Sequence, residues 1–421
     1  MLPSTSKLLK DRVRHFVPAW FAVIMGTGSI SILFQKFPYW NGTATMNALS
    51  ALFFFLNFVL FVVIMITSVV RYIIFPDIWF IMVRHPVQSL YLGCFPMGIS
   101  TLLNVSVSLL YKEYGFGGTT FLYTIWGFWW LNVAISILCC WGMVHVMSTT
   151  HDHSLNQMSS VWLLPVVTLI VTSSSGGILA QAIQPLSPSH ALLTTTFSVF
   201  LVSIGLSLAL MILTIYFYRV ILHGPPRGAN VISTFVPLGP TGQAGFSMIL
   251  IGENTKELFP IANSASPFMS NTNAGEIIYT VCVCIAFVLW SLATMWLVFA
   301  LLSIQSVVRR TRFPFRIPFW GMIFPNGVYA NLTIMLYRVL DVRFFRVWGA
   351  VYAVLTLVAW SVVFIRTVSM VRTGEIFAAP CLEDIDMGVS VGNPRERERE
   401  EGQVQAQASQ SQATSCAQQA R

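Results

Sequence analysis

Ten apolar runs cross this chain, at about 17–35, 49–70, 87–110, 120–146, 159–182, 190–218, 231–252, 276–304, 318–337 and 345–370, with short polar segments between them. Each is near or above the roughly 20 residues that an α-helix needs to cross bilayer hydrocarbon. The pattern predicts an all-α polytopic membrane protein with ten transmembrane helices arranged as five helical hairpins. The runs also alternate in kind. Every odd-numbered run carries proline within it or at its edge: Pro18, Pro96, Pro165, Pro237 with Pro240, and Pro325. The five even runs contain none, and glycine is biased the same way, with Gly26 and Gly28, Gly176 and Gly177, and Gly239, Gly242 and Gly245 all in odd runs. Proline removes a backbone donor and kinks a helix. In a bilayer, broken backbone is tolerated only against protein or a water-filled cavity. The odd helices are therefore expected to form an inner ring of kinked helices around a central pore, with the smooth even helices outside, facing lipid.

The polar residues of the odd runs support a pathway for a small anion. Thr27, Ser100, Asn104, Ser174, Ser175, Gly176, Thr241, Gln243 and Asn326 are the candidates for lining it and coordinating the anion. Hydroxyl, amide and backbone dipoles can hold an anion without trapping it, as conduction requires. Ser and Thr also bond back to their own helix, so part of this set is structural. Fixed charge is sparse in these runs. Arg14 and His15, just before the first run, are candidates for a positive vestibule, and Glu253 and Lys256, at the end of the seventh, for a charged vestibule or a coupling role.

Composition narrows the class. Of 421 residues, 55% are hydrophobic and 10% are charged. A soluble domain carries about 25% charged residues, so much of this surface must face lipid, and no length remains for a soluble catalytic domain. Three regions follow: a basic N-terminal segment 1–16, a ten-helix domain 17–372, and a tail 373–421. The Arg/Glu run at 395–401 and the Gln/Ser/Ala-rich stretch beyond it predict a disordered tail. The net charge of +8 comes from Lys and Arg placed between apolar runs. They read as topology signals, with no nucleic-acid partner implied. Twelve fall on the segments that share a side with the N-terminus and six on the opposite side, which predicts both termini in the cytosol.

Smaller motifs add little. The sequon Asn41-Gly42-Thr43 falls in the first outward loop and is a glycosylation candidate. His151-Asp152-His153 lacks further ligands in the sequence around it, and no nucleotide-binding loop or nucleophile elbow is present. Neither a metal nor a cofactor is expected, and the chain does not read as an enzyme.

Several motifs together carry a resemblance. These are Phe16-Val17-Pro18-Ala19-Trp20-Phe21, His85-Pro86-Val87-Gln88-Ser89, Ser174-Ser175-Gly176-Gly177, Leu238-Gly239-Pro240-Thr241-Gly242-Gln243 and Phe319-Trp320-Gly321-Met322-Ile323-Phe324-Pro325-Asn326-Gly327. With them the chain resembles the tellurite-resistance/dicarboxylate transporter family, which includes plant slow anion channels, and within it the fungal sulfite efflux pumps. The resemblance spans nearly all of 12–372. It implies a plasma-membrane homotrimer in which each protomer has its own pore of five inner helices. It also implies a phenylalanine gate in the ninth span, which falls on Phe324. The implied function is export of sulfite or bisulfite, with transport of a C4-dicarboxylate such as malate as the alternative.

Overall fold

The computed structural model describes residues 5–226, 228–261, 273–309, 315–380 and 382. Most of the expected tail, including the Arg/Glu run, lies outside the described residues. Helices follow one another as α1 (Thr5–Arg14), α2 (Phe21–Lys36), α3 (Ala44–Ile74), α4 (Asp77–Arg84), α5 (Cys94–Val105) and α6 (Gly118–Thr149). The second half continues with α7 (Leu164–Ile183), α8 (Pro188–His223), α9 (Leu238–Leu258), α10 (Ala274–Val308), α11 (Ile323–Leu340) and α12 (Arg343–Thr373). No strand occurs among the described residues.

Two populations separate by length and burial. The long helices α3, α6, α8, α10 and α12 hold 31 to 36 residues and present rows of exposed apolar side chains such as Leu52, Phe55, Val59 and Ile66 on α3. At 1.5 Å per residue they exceed the bilayer core and continue beyond it. The short helices α2, α5, α7, α9 and α11 hold 12 to 21 residues and are enclosed. The most apolar window of the α7 span is 100% buried, whereas that of α3 is 22% buried. Each short helix packs on the next, α2 on α5, α5 on α7, α7 on α9 and α9 on α11, and α11 returns to α2. The described helices thus include a closed inner ring inside an outer one. Among the described residues, eight helices are long and apolar enough to cross a membrane. The ring members α9, of 21 residues, and α11, of 18, are not among them.

The prolines act differently from the expected mid-helix kinks. Each short helix begins with a tighter 3₁₀ segment: Pro18–Trp20, Ser89–Gly93, Ser160–Leu163, Gly228–Phe235 and Ile317–Met322. Pro18 opens the first of these, and Pro96, Pro165, Pro240 and Pro325 fall within the first three residues of their α-helices. The first-turn N–H groups have no partner within the helix, so proline costs little there. The irregularity sits where a 3₁₀ turn becomes an α-helix. A second irregularity closes α5, where Ser106–Tyr111 forms a π-helical turn.

Close approach explains particular glycines. A Cβ at Gly327 of α11 would lie 2.7 Å from Ser29 Oγ of α2, and one at Gly93 would lie 2.5 Å from the Leu164 carbonyl oxygen. Indole donors then fasten the outer ring to the inner. Trp129 Nε1 of α6 donates to the Thr172 carbonyl at 3.0 Å, Trp290 Nε1 of α10 to Thr333 Oγ1 at 2.9 Å, and Trp348 Nε1 of α12 to Tyr329 Oη at 3.0 Å.

The described beginning of the 373–421 region is packed against the helices. After Gly374, in left-handed conformation at φ +85°, the chain folds back beneath the ring. Ile376, Ala379 and Leu382 are buried there, and Phe377 stacks on Trp20 with ring centres 5.6 Å apart.

Candidate functional site

The segments that lead into the five inner helices all border one cavity, so the N-termini of these helices meet at one end of the ring. A cavity of about 580 Å³ opens there. All five 3₁₀ lead-in segments reach its wall, through Ala19, Tyr91, Val161, Ile232 and Trp320 among others. Helix N-termini carry partial positive charge, so five of them converging favour an anion before any side chain contributes. Polar side chains also line the cavity: His85, Gln88, Ser159, Asn230 and Arg316 can add to this, and the Glu375 carboxylate opposes it. His85 is held in place because its Nδ1 accepts from the backbone N–H groups of Val87 and Gln88, at 3.1 and 3.2 Å.

Further along the axis, a second cavity of about 20 Å³ is enclosed by the same five helices. It has room for about one water molecule. Its polar wall consists of Ser29, Thr101, Asn104, Gln243 and Asn331, and its apolar wall includes Val171, Ile178, Phe246 and Val328. The Oδ1 atoms of Asn104 and Asn331 are buried and have no hydrogen-bond partner. Phe324 lines both cavities and is 4% exposed. Its ring therefore stands between the wide cavity and the narrow one.

The expected lining residues divide. Asn104 and Gln243 face the narrow cavity, and Ser174 stands behind Gln243, whose Nε2 donates to Ser174 Oγ. The others are turned away from it. Thr27 accepts from Trp360 Nε1 at 3.1 Å, and Ser100 accepts from Asn132 Nδ2 at 2.9 Å. Ser175 and Thr241 donate to carbonyls of their own helices, Val171 at 3.2 Å and Pro237 at 2.8 Å. Gly176 lies against Trp129 and Ser198, and both polar atoms of Asn326 are engaged, with the Met322 carbonyl and with Tyr352. Ser29, Thr101 and Asn331 take the facing positions. Their residue types match the candidates in the same spans, and nothing in the sequence marks which side they face.

The charged candidates move as well. Arg14 borders a separate pocket formed with Phe75, Asp77 and Ile81, and His15 pairs with Asp11 at 3.4 Å, so neither lines the wide cavity. Lys256 pairs with Glu276 of α10 at 3.1 Å near the surface. Glu253 accepts from Gln181 Nε2 at 2.9 Å, at the C-terminal end of the ring. Asn41 is exposed in the α2–α3 connection, whereas the sequon asparagines Asn104 and Asn331 are buried. In the loop after α6, His151 Nε2 lies 3.0 Å from the Val83 carbonyl and His153 packs on Trp162 at 4.4 Å. Burial holds the His153 imidazole below its usual pKa, and neighbouring His151 adds to the shift. No group of three metal-ligating side chains occurs among the described residues.

A helical ring enclosing two aligned cavities, polar but without fixed charge at the narrow point, within a sheath of lipid-facing helices, defines a polytopic membrane channel or transporter for small anions. Comparison with known proteins places it more closely: the chain belongs to the SLAC1 voltage-dependent anion channel family, whose model matches residues 15–368. It is 33% identical over 365 residues to the sulfite efflux pump SSU1 of Arthroderma benhamiae and equally to that of Trichophyton rubrum, covering 87% of this chain and 93% of each relative. It is also similar to the malic acid transport protein of Schizosaccharomyces pombe, 22% identical over 360 residues that cover 84% of this chain and 77% of the relative.

Proposed function

We propose that this anion transporter exports sulfite or bisulfite, that its passage is the axis of the inner ring, and that Phe324 is the gate. The observation that carries the reading is the position of Phe324, which borders the wide cavity on one side and the narrow cavity on the other. With the ring in place, the space beyond it holds about one water molecule, too little for an oxyanion. The wide cavity gives the Phe324 side chain room to turn aside, so a rotamer change there is the first step of opening. Sulfite is favoured over malate because the narrow wall offers dipoles without a lysine or arginine. A two-headed carboxylate would gain most from such a charge. The sulfite efflux pumps among its relatives support the same choice.

The remaining topology belongs to this proposal. α9 and α11 complete ten spans in five hairpins. The wide cavity faces the cytosol, together with both termini, and the molecule resides in the plasma membrane as a homotrimer with Asn41 outside. The lysine and arginine distribution supports that orientation, and the family resemblance supports the trimer.

Flux from proteoliposomes, comparing sulfite with malate for the wild type and Phe324→Ala, tests the proposal. Sulfite release from the wild type, and at least tenfold faster release from Phe324→Ala, is the expected result. Malate flux without sulfite flux overturns the substrate assignment. An unchanged rate in Phe324→Ala removes the gate.

A further inference from the structure

The opposite end of the ring raises an electrostatic difficulty for any anion that passes Phe324. Five parallel helices end there, and helix C-termini carry partial negative charge. An anion leaving the narrow cavity is drawn in at the N-terminal end and repelled at this one. Each inner helix, however, brings a polar or charged side chain to that end: Lys36 from α2, Lys112 just beyond the π-turn of α5, Gln181 from α7, Glu253 and Glu257 from α9, and Arg338 from α11. Lys112, Glu257 and Arg338 are exposed at the rim, whereas Lys36, Gln181 and Glu253 are half-buried beneath it.

Lys36 has the most specific placement. Its ammonium lies 4.1 Å from the centre of the Phe246 ring, and that ring is part of the wall of the narrow cavity. Only one aromatic ring therefore separates the narrow cavity from a half-buried cation. Arg338 and, more weakly, Glu253 act electrostatically on Lys36 in opposite senses, and Gln181 donates to the Glu253 carboxylate.

We propose that Lys36 is an anion-binding station at the C-terminal end of the passage and that Phe246, held by its ammonium, is a second gate there. This rests on the reading of the ring axis as the anion pathway. The arriving oxyanion competes with the Phe246 face for the Lys36 ammonium, because a charge-assisted hydrogen bond to an oxyanion is stronger than a cation–π contact. The ring is released as the anion binds, so arrival at the narrow cavity opens the way out. Glu253 then competes with the anion for the same ammonium, which keeps binding weak enough for release.

The test is made in the Phe324→Ala background, so that the first gate does not limit flux. Lys36→Met keeps an apolar stem over Phe246 and removes the charge. It is expected to lower sulfite flux at least tenfold and to reduce the preference for anions over cations, with Lys36→Arg restoring most of both. Sulfite flux within twofold of the parent, with unchanged anion preference, overturns the proposal. A Lys36→Cys protein, already folded and reconstituted, provides a check that does not depend on the folding of Lys36→Met. Modification with an aminoethyl thiosulfonate should recover flux, and a neutral reagent of similar size should not, with the unmodified parent as control for the native cysteines. Equal recovery with both reagents overturns the charge assignment. Absence of sulfite flux from every protein, wild type included, overturns the transport reading itself, an outcome distinct from failure at Lys36 alone.

Discussion

The Tyr352 hydroxyl on α12 donates to Asn326 Oδ1 on α11 at 2.5 Å, and Asn326 Nδ2 donates to the Met322 carbonyl at 2.7 Å. These two bonds clamp the turn that carries Phe324 and Pro325 to the outer ring. Tyr352→Phe leaves a buried amide oxygen without its donor, at a cost of about 1–3 kcal/mol. The loss falls on the α11 turn next to the proposed gate. The expected outcome is a lower melting temperature together with a several-fold higher resting leak of sulfite, measured by differential scanning fluorimetry and vesicle flux. A drop in stability with no change in leak would separate this clamp from the gate.

Asn104 and Asn331 place unpaired amide oxygens at the wall of the narrow cavity. Buried polar atoms left unpaired cost about 1–3 kcal/mol each, and proteins retain them mainly where function needs them. Replacing either by Leu should raise the melting temperature or leave it unchanged, while lowering sulfite flux in the Phe324→Ala background about tenfold. Flux that stays equal to the parent would assign the asparagines to packing.

Thr27 and Ser100 present the opposite case. Their hydroxyls accept from Trp360 and Asn132 on outer helices. Thr27→Val and Ser100→Ala should each lower stability by about 1 kcal/mol, seen as a shift of a few degrees in melting. Selectivity among sulfite, chloride and malate should not change. Altered selectivity would return them to the passage.

Asn41 is exposed beside the N-cap residue of α3, Thr43, whose hydroxyl donates to the Trp40 carbonyl at 2.8 Å. Expression in a eukaryotic host should yield a glycosylated band that collapses with endoglycosidase and is absent from Asn41→Gln. Glycan at any site reported from the wide-cavity side instead would invert the proposed orientation.

The class, the alternation of two kinds of helix and the inner ring were legible in the amino-acid pattern. Proline and glycine stand out against apolar background, and their restriction to every second span is visible without neighbours. What they do locally was decided by the fold. A proline in an apolar run can kink a helix or start one, and only the 3₁₀ segments preceding α2, α5, α7, α9 and α11 reveal that these start them. Which hydroxyls face the axis was equally hidden. An amphipathic helix announces its faces by periodicity, but the inner helices are buried all round, with nearly every residue of α7 enclosed. Thr27 and Ser29 are two residues apart on one helix, so they project about 200° apart. One reaches Trp360 on the outer ring and the other reaches the narrow cavity. Likewise Ser100 turns to Asn132 while its neighbour Thr101 turns to the cavity. The residue types are the same on both faces, because a hydroxyl that meets an indole and one that meets the cavity satisfy the same hydrogen-bonding need. Only the tertiary arrangement, by fixing which neighbour each face meets, tells the two apart.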